Sequence, residues 1–406
     1  MNLQNHYLIV LDALRSDHLK YMPWLLSKID DGIYIKNLEI SSGFCERSEI
    51  FFGLKPSETG FVNAISIDHK SNNHIRPYSW LPNWLISPLN FFEKNRFFQK
   101  IIRRFLWELS LKKSSMSMYP QRIPLNVLNR VILTEDSIDF EDYSKSIKSG
   151  LLYEYINAGY DINWEYFTSL SSSSFGTDSS RIQILLNKLS HYKNSFIPVY
   201  ISTADVFGHK FGPHSKELIK ALKEIDSILK NFYHKCVKHH NGKCNISFLG
   251  DHGMEHVNTS INIKNIIDSI SNDMNLKLGE DFYYFLDSTM VRVWWKLDNK
   301  EKLHIFHKKL LSNEELKNKG YFLNDYDCEN EGLPPIKDIA DIVWWAKKGV
   351  QVSPDFFHNE NKLKAGMHGY LKKDRVSSGF FLSTDSPHPK FYKNLHISNI
   401  VKVFSV

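Results

Sequence analysis

The stretch His6-Tyr-Leu-Ile-Val-Leu-Asp-Ala-Leu14 is a continuous apolar run that contains a carboxylic acid near its end. Such a run is typical of a strand in a parallel sheet that is buried on both faces and carries a functional residue at its carboxyl end. Two further runs have the same character, Phe196-Ile-Pro-Val-Tyr-Ile-Ser202 and Ile246-Ser-Phe-Leu-Gly-Asp251. Between them, residues 215–233 carry apolar side chains at helical spacing, which predicts a right-handed strand–helix–strand unit. The sequence therefore predicts an α/β fold with a mainly parallel central sheet flanked by helices.

The segment 76–190 differs from its surroundings. It begins with Pro- and Trp-rich sequence and ends around a Ser-rich linker, Ser169 to Ser180. We interpret this segment as a helical insertion or cap, with residues 1–75 and 191–406 forming the core. In a fold of this kind, functional side chains are expected where the core strands end.

The composition sets broad limits on function. A formal net charge of +6 over 406 residues does not indicate binding that is specific to nucleic acid. The four cysteines show neither a Cys-x-x-Cys pair nor the spacing of a disulfide framework. The first apolar run is too short for a signal peptide, and no run approaches the ~18 apolar residues of a membrane span. We therefore expect a cytoplasmic protein with reduced cysteines.

Four short motifs place carboxylates and imidazoles where strands are predicted to end. They are Leu11-Asp-Ala-Leu-Arg-Ser-Asp17, Thr203-Ala-Asp-Val-Phe-Gly-His-Lys-Phe-Gly-Pro213, Gly250-Asp-His-Gly-Met254 and Ala365-Gly-Met-His-Gly-Tyr370. Ligands of these two types suit a pair of divalent metal ions, zinc first, with manganese or magnesium as alternatives. Two such ions roughly 4 Å apart can hold the attacking and leaving oxygens of an in-line displacement at phosphorus. The six candidate ligands are Asp12, Asp205, His209, Asp251, His252 and His368.

With these motifs the chain resembles the alkaline phosphatase superfamily, and most closely its nucleotide pyrophosphatase/phosphodiesterase branch. The resemblance covers about residues 1–70 and 195–405, and the strings that end at Pro213 and Met254 are its most specific parts. It implies an alkaline phosphatase-like core that hydrolyses phosphate esters, with diesters or pyrophosphates favoured over monoesters.

The resemblance also implies how the ligands divide and what they do. One metal, on the substrate side, would be held by Asp205, His209 and His368. The other metal would activate the nucleophile, which would attack phosphorus and form a covalent phospho-enzyme. Its ligands would be Asp12, Asp251 and His252.

The nucleophile does not follow from counting along the chain. Members of the superfamily place a Thr, Ser or modified Cys just before a helix, about ten residues ahead of a Gly-x-x-Pro turn. Counting back from Gly53 reaches Gly43, which has no side chain, so the candidates are Cys45 and Ser42. We favour Cys45, because a helix N-terminus, a nearby arginine and a bound metal would each lower the pKa of its thiol. Ser48 and a metal-bound water are further alternatives.

Arg47 is predicted to clamp a non-bridging oxygen of the phosphate. The same segment argues against a sulfatase, because the sulfatases of the superfamily place an arginine four residues after the modified cysteine. Here Arg47 comes two residues after Cys45. The remaining alternatives are a transferase that passes the covalent group to an alcohol and a non-catalytic, metal-stabilised module that binds lipid or carbohydrate. A glycine at position 43 is the best support for the latter.

Residues 90–113 predict a basic amphipathic helix. Seven basic side chains oppose only Glu93 and Glu108, and the apolar positions recur at nearly helical spacing. Such a helix is compatible with peripheral contact to an anionic membrane. It is equally compatible with packing onto the core with its charges in water. Basic residues near the site would also attract an anionic phosphate-ester substrate, whether a small molecule or a glycan- or lipid-linked one.

Overall fold

A seven-stranded sheet forms the centre of the molecule in the computed structural model, which describes residues 4–68, 74–167, 176–358, 363–384 and 390–404. Across the sheet, the strands follow one another as β17 (Lys390–His396), β2 (Ile33–Glu39), β16 (Gly379–Ser383), β7 (Cys244–Gly250), β1 (Asn5–Leu11), β6 (Ser195–Ile201) and β5 (Asp161–Ile162).

A second sheet of four strands and three small two-stranded sheets complete the β-structure of the described residues. The four-stranded sheet has the order β10 (Phe282–Leu286), β11 (Met290–Trp295), β13 (Ile342–Ala346), β12 (Gly320–Phe322). The small pairs are β14 (Val350–Val352) with β9 (Thr259–Ile261), β15 (Gly366–Met367) with β8 (Glu255–His256), and β3 (Ile65–Ile67) with β4 (Val131–Leu133).

Helices surround both sheets. The α-helices are α1 (Pro23–Ser27), α2 (Glu46–Phe52), α3 (Pro56–Thr59), α4 (Asn83–Phe92), α5 (Arg96–Lys113), α6 (Leu125–Leu128), α7 (Phe140–Ile147), α8 (Gly150–Asn157), α9 (Asp178–Asn187), α10 (Thr203–Phe211), α11 (Lys216–His239), α12 (Ile263–Asp273), α13 (Lys300–Leu311), α14 (Glu314–Lys319), α15 (Asp325–Glu331) and α16 (Ile336–Ile339). Short 3-10 helices cover Ser16–Tyr21, Ile29–Asp31, Glu135–Ser137, Leu189–His191, Lys372–Asp374 and Ile397–Val403.

The three strands predicted from apolar runs lie side by side in the centre of the large sheet. Strand β1 pairs in parallel with β6 on one side and with β7 on the other, and all seven of its residues are buried. The predicted helix is α11, whose first turn is capped by Ser215. Strand β16 runs antiparallel to both β7 and β2. The predicted α/β class with a mainly parallel sheet is therefore confirmed.

The carboxyl ends of β1, β6 and β7 meet at one edge of the sheet, and the chain approaches itself closely there. A side chain at Gly250, the last residue of β7, would place its Cβ 2.1 Å from the Leu14 carbonyl oxygen. Only glycine therefore fits between the end of β7 and the turn that follows β1. This close approach brings the residues that follow the two strands together.

Three apolar cores show how the chain divides. One core lies between the large sheet and the helices α9 and α11, and another between the opposite face and the helices α2 and α8. The third core joins residues 62–133 to residues 261–371, around the four-stranded sheet. The boundary expected for the insertion, 76–190, is thus different in the structure. Helix α8 and helix α9 contribute to the cores of the large sheet, and β5 extends that sheet. Residues 168–175 of the Ser-rich linker lie outside the described residues.

Candidate functional site

Four chain segments deliver the predicted ligands to the carboxyl edge of the sheet. Asp12 directly follows β1, and Asp251 and His252 directly follow β7. Asp205 and His209 lie one turn apart on α10, which begins two residues after β6. His368 follows β15, which pairs with β8 just beyond Asp251 and His252. The six side chains form two groups, and within each group the ligand atoms lie within 4.8 Å of one another. One group is Asp205, His209 and His368, and the other is Asp12, Asp251 and His252.

The first group, which we call the α10 triad, converges on one carboxylate oxygen. Asp205 Oδ1 lies 3.0 Å from His209 Nε2 and 3.4 Å from His368 Nε2. This oxygen is buried and has no hydrogen-bond partner of good geometry. His209 Nδ1 lies 2.9 Å from the carbonyl oxygen of Gly366, so the ring donates from Nδ1 and keeps Nε2 for a ligand. Metal-binding histidines are typically held in this way.

The second group, which we call the β1–β7 triad, lies deeper. His252 Nε2 is 3.2 Å from Asp12 Oδ1 and 3.8 Å from Asp251 Oδ1. The ring is again oriented by a backbone carbonyl, that of Gly253, 3.0 Å from Nδ1. Asp251 Oδ1 accepts hydrogen bonds from the backbone N–H groups of Ala13 and His252. Ala13 adopts a left-handed backbone conformation with φ 56°, which turns its N–H toward the carboxylate.

The two triads are in direct contact through their histidine rings. The imidazole rings of His252 and His368 are stacked with their centroids 4.2 Å apart, and those of His209 and His368 lie 5.2 Å apart. Ligand groups on neighbouring stacked rings can hold two cations close to each other. An in-line displacement between two metals requires that they lie roughly 4 Å apart.

The electrostatics of the site also fit bound cations. Burial, together with the nearby charge of Asp205, raises the pKa of Asp12 to about 6. Burial raises the pKa of Asp251 as well, and the charge of Asp12 adds to this effect. Burial and the charge of His252 lower the pKa of His368 to about 4. Carboxylates that repel each other, next to a neutral imidazole, are the donor set that divalent metals bind.

The structure places Cys45 directly before α2, but in surroundings unlike those predicted. Its side chain is buried, and burial together with the neighbouring Glu135 carboxylate raises the pKa of its thiol. The expected lowering of this pKa is therefore wrong, because the charge of Arg47 is outweighed. A buried thiol of raised pKa is a weak nucleophile.

The hydroxyl groups of Ser42 and Ser48 both donate hydrogen bonds to carboxylates. The Ser42 hydroxyl donates to Glu331 at 2.6 Å and accepts from the backbone N–H of Lys372 at 3.1 Å. The Ser48 hydroxyl donates to Glu135 at 2.5 Å. At position 43 the backbone has φ 128°, and an added Cβ would lie 2.6 Å from the Val62 carbonyl oxygen. The backbone therefore leaves no room for a nucleophile at position 43.

Arg47 forms ion pairs with two buried acids instead of facing open solvent. Its guanidinium lies 2.7 Å from Glu135 and 2.7 Å from Asp136, and 13% of its side chain is exposed. The arginine that was predicted to bind phosphate is thus paired with carboxylates of the protein itself, Glu135 and Asp136, which follow β4 in the sequence. These acids carry no signal in the sequence that connects them with α2.

Several residues around the triads were not predicted. The Tyr200 hydroxyl, from β6, donates a hydrogen bond to Asp12. Asp178 accepts hydrogen bonds from the Ser202 N–H and the Thr203 hydroxyl, and so fixes the start of α10. A tyrosine within a strand, such as Tyr200, and an aspartate at the start of a helix, such as Asp178, are common in sequences. Only the order of the strands in the sheet shows that both lie at this site.

Two further groups lie beside the α10 triad. The His358 ring lies 6.3 Å from that of His209 and is oriented by Asp355, which accepts from Nδ1 at 2.7 Å. Burial alone would raise the pKa of Asp355, but hydrogen bonds from His358 outweigh it and lower the pKa. The Phe44 ring packs edge-on against His368, with centroids 5.5 Å apart. An Asp–His pair and an aromatic ring thus border the site.

The alkaline phosphatase-like sheet, with two Asp/His triads at its carboxyl edge, defines a hydrolase of phosphate esters. A family model confirms and narrows this class. It describes type I phosphodiesterases and nucleotide pyrophosphatases, and it matches residues 7–371. The chain therefore belongs to the type I phosphodiesterase/nucleotide pyrophosphatase family, whose members are hydrolases acting on phosphate ester bonds.

Relatives and solved structures agree with this assignment. The human bis(5'-adenosyl)-triphosphatase ENPP4 is 24% identical over 98% of this chain and 76% of its own length. A venom phosphodiesterase of Macrovipera lebetinus is 26% identical, over 46% of this chain and 21% of its own length. The chain is similar in fold to murine ectonucleotide pyrophosphatase/phosphodiesterase 5 in complex with AMP, with a TM-score of 0.62, 14% identity, and coverage of 98% of this chain and 93% of that one.

Proposed function

We propose that this chain binds two divalent metal ions, zinc in the first place, and hydrolyses a phosphodiester or pyrophosphate bond. The observation that carries the proposal is the pair of triads joined by the stacked rings of His252 and His368. The orphaned Asp205 Oδ1, with two Nε2 atoms around it, fits a cation between them. When bound, the two ions would neutralise the charge of the phosphate and lower the pKa of water.

The residues of the chain then have distinct roles. Asp205, His209 and His368 would hold one ion, beside Phe44 and His358. Asp12, Asp251 and His252 would hold the other ion, and Tyr200 and the Ala13 N–H orient the two carboxylates. The carbonyl groups of Gly366 and Gly253 keep Nε2 of each histidine aimed at its ion.

A nucleotide is the substrate class that the site supports best. Phe44 offers an aromatic face next to the α10 triad, and aromatic rings stack on bases. A relative is named for the hydrolysis of bis(5'-adenosyl) triphosphate, and a structure of similar fold was solved with AMP. A glycan- or lipid-linked phosphodiester is the alternative from the same chemistry.

We propose further that water attacks phosphorus directly, without a covalent intermediate on the enzyme. The covalent route expected from the sequence needs a side chain that is free to attack. Gly43 has none, Ser42 is bound to Glu331, and Cys45 is buried with a raised pKa. A single in-line displacement inverts the configuration at phosphorus, whereas a double displacement retains it.

The stereochemistry of hydrolysis tests this route. A phosphorothioate diester of known configuration is hydrolysed in isotopically labelled water by the zinc-loaded protein and by its Ser42→Ala and Cys45→Ala variants. We expect inversion, with turnover in both variants within about threefold of the parent, less than 1 kcal/mol in the barrier. Retention of configuration, or loss of turnover in one correctly folded variant, would restore the covalent route.

The ligand assignment has its own test. Bis-p-nitrophenyl phosphate, p-nitrophenyl phosphate and p-nitrophenyl sulfate are offered to zinc-, manganese- and magnesium-loaded protein, with His209→Ala and the exposed His234→Ala as a matched pair. We expect diester turnover to exceed that of the monoester and the sulfate. Removing a residue that only hydrogen-bonds a metal ligand typically weakens metal binding roughly 10–100-fold. We expect His209→Ala to weaken zinc binding by more than this, as measured by metal titration. Equal zinc binding by His209→Ala and His234→Ala would refute the site.

A further inference from the structure

The helices α4 and α5 expose large apolar side chains to solvent. Among the described residues, nine of the sixteen large hydrophobic side chains that are exposed lie between positions 84 and 116. We call six of them the aromatic patch: Phe91, Phe92, Phe97, Phe98, Ile101 and Phe105, whose exposed fractions range from 46% to 67%. Single exposed hydrophobic residues are ordinary, but a contiguous group of them marks an interaction surface.

The patch is continuous from one helix to the next. The rings of Phe91 and Phe92 lie 5.7 Å apart, those of Phe92 and Phe98 6.1 Å, and those of Phe97 and Phe98 5.8 Å. These four rings join the end of α4 to the beginning of α5. Ile101 and Phe105 follow at helical spacing along α5, so that the apolar surface extends along one face of the helix.

Helix α5 packs onto the molecule with a charged residue inside and phenylalanines outside. Its buried residues are Arg103, Leu106 and Ser110. The Arg103 guanidinium binds both carboxylate oxygens of Glu93, at 2.5 and 2.6 Å, and donates to the Ile123 carbonyl at 2.5 Å. Burying such a pair costs desolvation energy. The orientation of α5 therefore keeps the aromatic face available at the surface.

The patch lies in a positively charged surrounding. Residues 93–113 contain seven basic and two acidic side chains. Arg103 pairs with Glu93 and Arg104 with Glu108, which uses both acids. Five basic side chains remain: Lys94, Arg96, Lys100, Lys112 and Lys113. Lys94 lies over the ring of Phe91, 5.7 Å from its centroid, so that the apolar and cationic groups share one surface.

We propose that α4 and α5 dock onto the surface of an anionic lipid membrane. Aromatic rings enter the boundary between headgroups and acyl chains, while lysines and arginines bind the anionic headgroups. The contact that we propose is peripheral. Among the described residues, no helix is long and apolar enough to cross a bilayer. This inference does not depend on the proposed function, because no residue of the triads takes part in it.

Vesicle flotation of the full chain tests the docking. Neutral phosphatidylcholine vesicles are compared with vesicles that contain about one quarter phosphatidylglycerol, at low and high salt. The variants are Phe97→Ser with Phe105→Ser, and Lys100→Gln with Lys112→Gln. The exposed residue Tyr326, outside the patch, gives the control Tyr326→Ser. Circular dichroism checks the fold of each variant.

We expect binding to the anionic vesicles that weakens at high salt. The phenylalanine variant should bind roughly tenfold more weakly, the lysine variant should lose the preference for anionic vesicles, and the control should not change. Absence of binding at low salt would overturn the proposal, as would unchanged binding by the phenylalanine variant. Self-association lost in the phenylalanine variant, without vesicle binding, would show that a second copy covers the patch.

Discussion

Two backbone carbonyl groups decide what the histidines of the site can do. Gly366 and Gly253 accept from Nδ1 of His209 and His252, so Nε2 of each ring faces the carboxylates. A carbonyl oxygen can accept a hydrogen bond but cannot donate one, so Nδ1 must carry the hydrogen and the tautomer of a neutral ring is fixed. The histidines are therefore prepared as ligands before a metal binds.

A histidine in the middle of the sheet should make the protein sensitive to acid. His6 is buried, lies 3.0 Å from the Ser247 hydroxyl, and also bonds the Tyr155 hydroxyl. Burial lowers its pKa to about 3. Between about pH 6.5 and pH 3, the unfolded chain binds a proton that the folded chain does not, so stability falls as pH falls.

The magnitude follows from the size of this shift. From pH 6.5 to pH 5, His6 should account for a loss of about 2 kcal/mol in the free energy of unfolding. Urea unfolding at a series of pH values should show a shallower decline for His6→Gln than for the parent. The exposed His234→Gln should follow the parent; a decline equally steep in all three proteins would show that His6 stays uncoupled from folding.

The sequence placed the candidate metal ligands at the sheet edge but did not reveal the environment of the nucleophile candidates. Asp12 and His252 stand beside strand-like apolar runs, so their position at the sheet edge followed from the pattern. The raised pKa of Cys45 comes from burial and from Glu135, which is 90 positions away in the sequence and reaches α2 only through the tertiary fold. Contacts of this kind leave no periodic signal, which is why the expected thiolate was wrong.

At the scale of elements, α5 shows how a helical pattern fixes a helix but not its orientation. The spacing of Phe98, Ile101 and Phe105 predicts a helix, and α5 contains all three positions. Core packing through the apolar face was one of the two arrangements that this pattern allows. The structure instead turns Arg103 inward, because Glu93 at the end of α4 supplies its partner.

This buried pair should matter far more than its exposed neighbour on the same helix. The side chains of Arg103 and Glu93 are 4% and 9% exposed, whereas those of Arg104 and Glu108 are 71% and 53% exposed. Glu93→Gln leaves a buried guanidinium without its counter-ion, which should lower the free energy of unfolding by about 3 kcal/mol. Glu108→Gln removes a pair that solvent already screens and should change stability little.

Thermal and urea unfolding of the two glutamine variants measure the difference. Equal losses of stability in the two variants would show that Arg103 is not buried and that the aromatic patch faces the core. Normal stability of Glu93→Gln would lead to the same conclusion.

At the scale of the whole molecule, the function rests on which strands are neighbours. Parallel pairing of β1 with β6 and β7 brings the segment that follows β1, with Asp12, to the same edge as the segments with Asp205 and Asp251, which come much later in the sequence. The apolar runs and the crossover predicted this sheet. The division of the chain was not predictable in the same way, because residues 62–133 share a core with residues 261–371 through contacts that no local pattern encodes.

The central claim is that each triad binds one cation and that the two cations lie close together. The most direct measurement is an anomalous difference map from crystals of the full chain grown with zinc. We predict two peaks about 4 Å apart. One should lie within bonding distance of Asp205, His209 and His368, and the other within bonding distance of Asp12, Asp251 and His252. A single peak, or peaks that none of these side chains contacts, would contradict it.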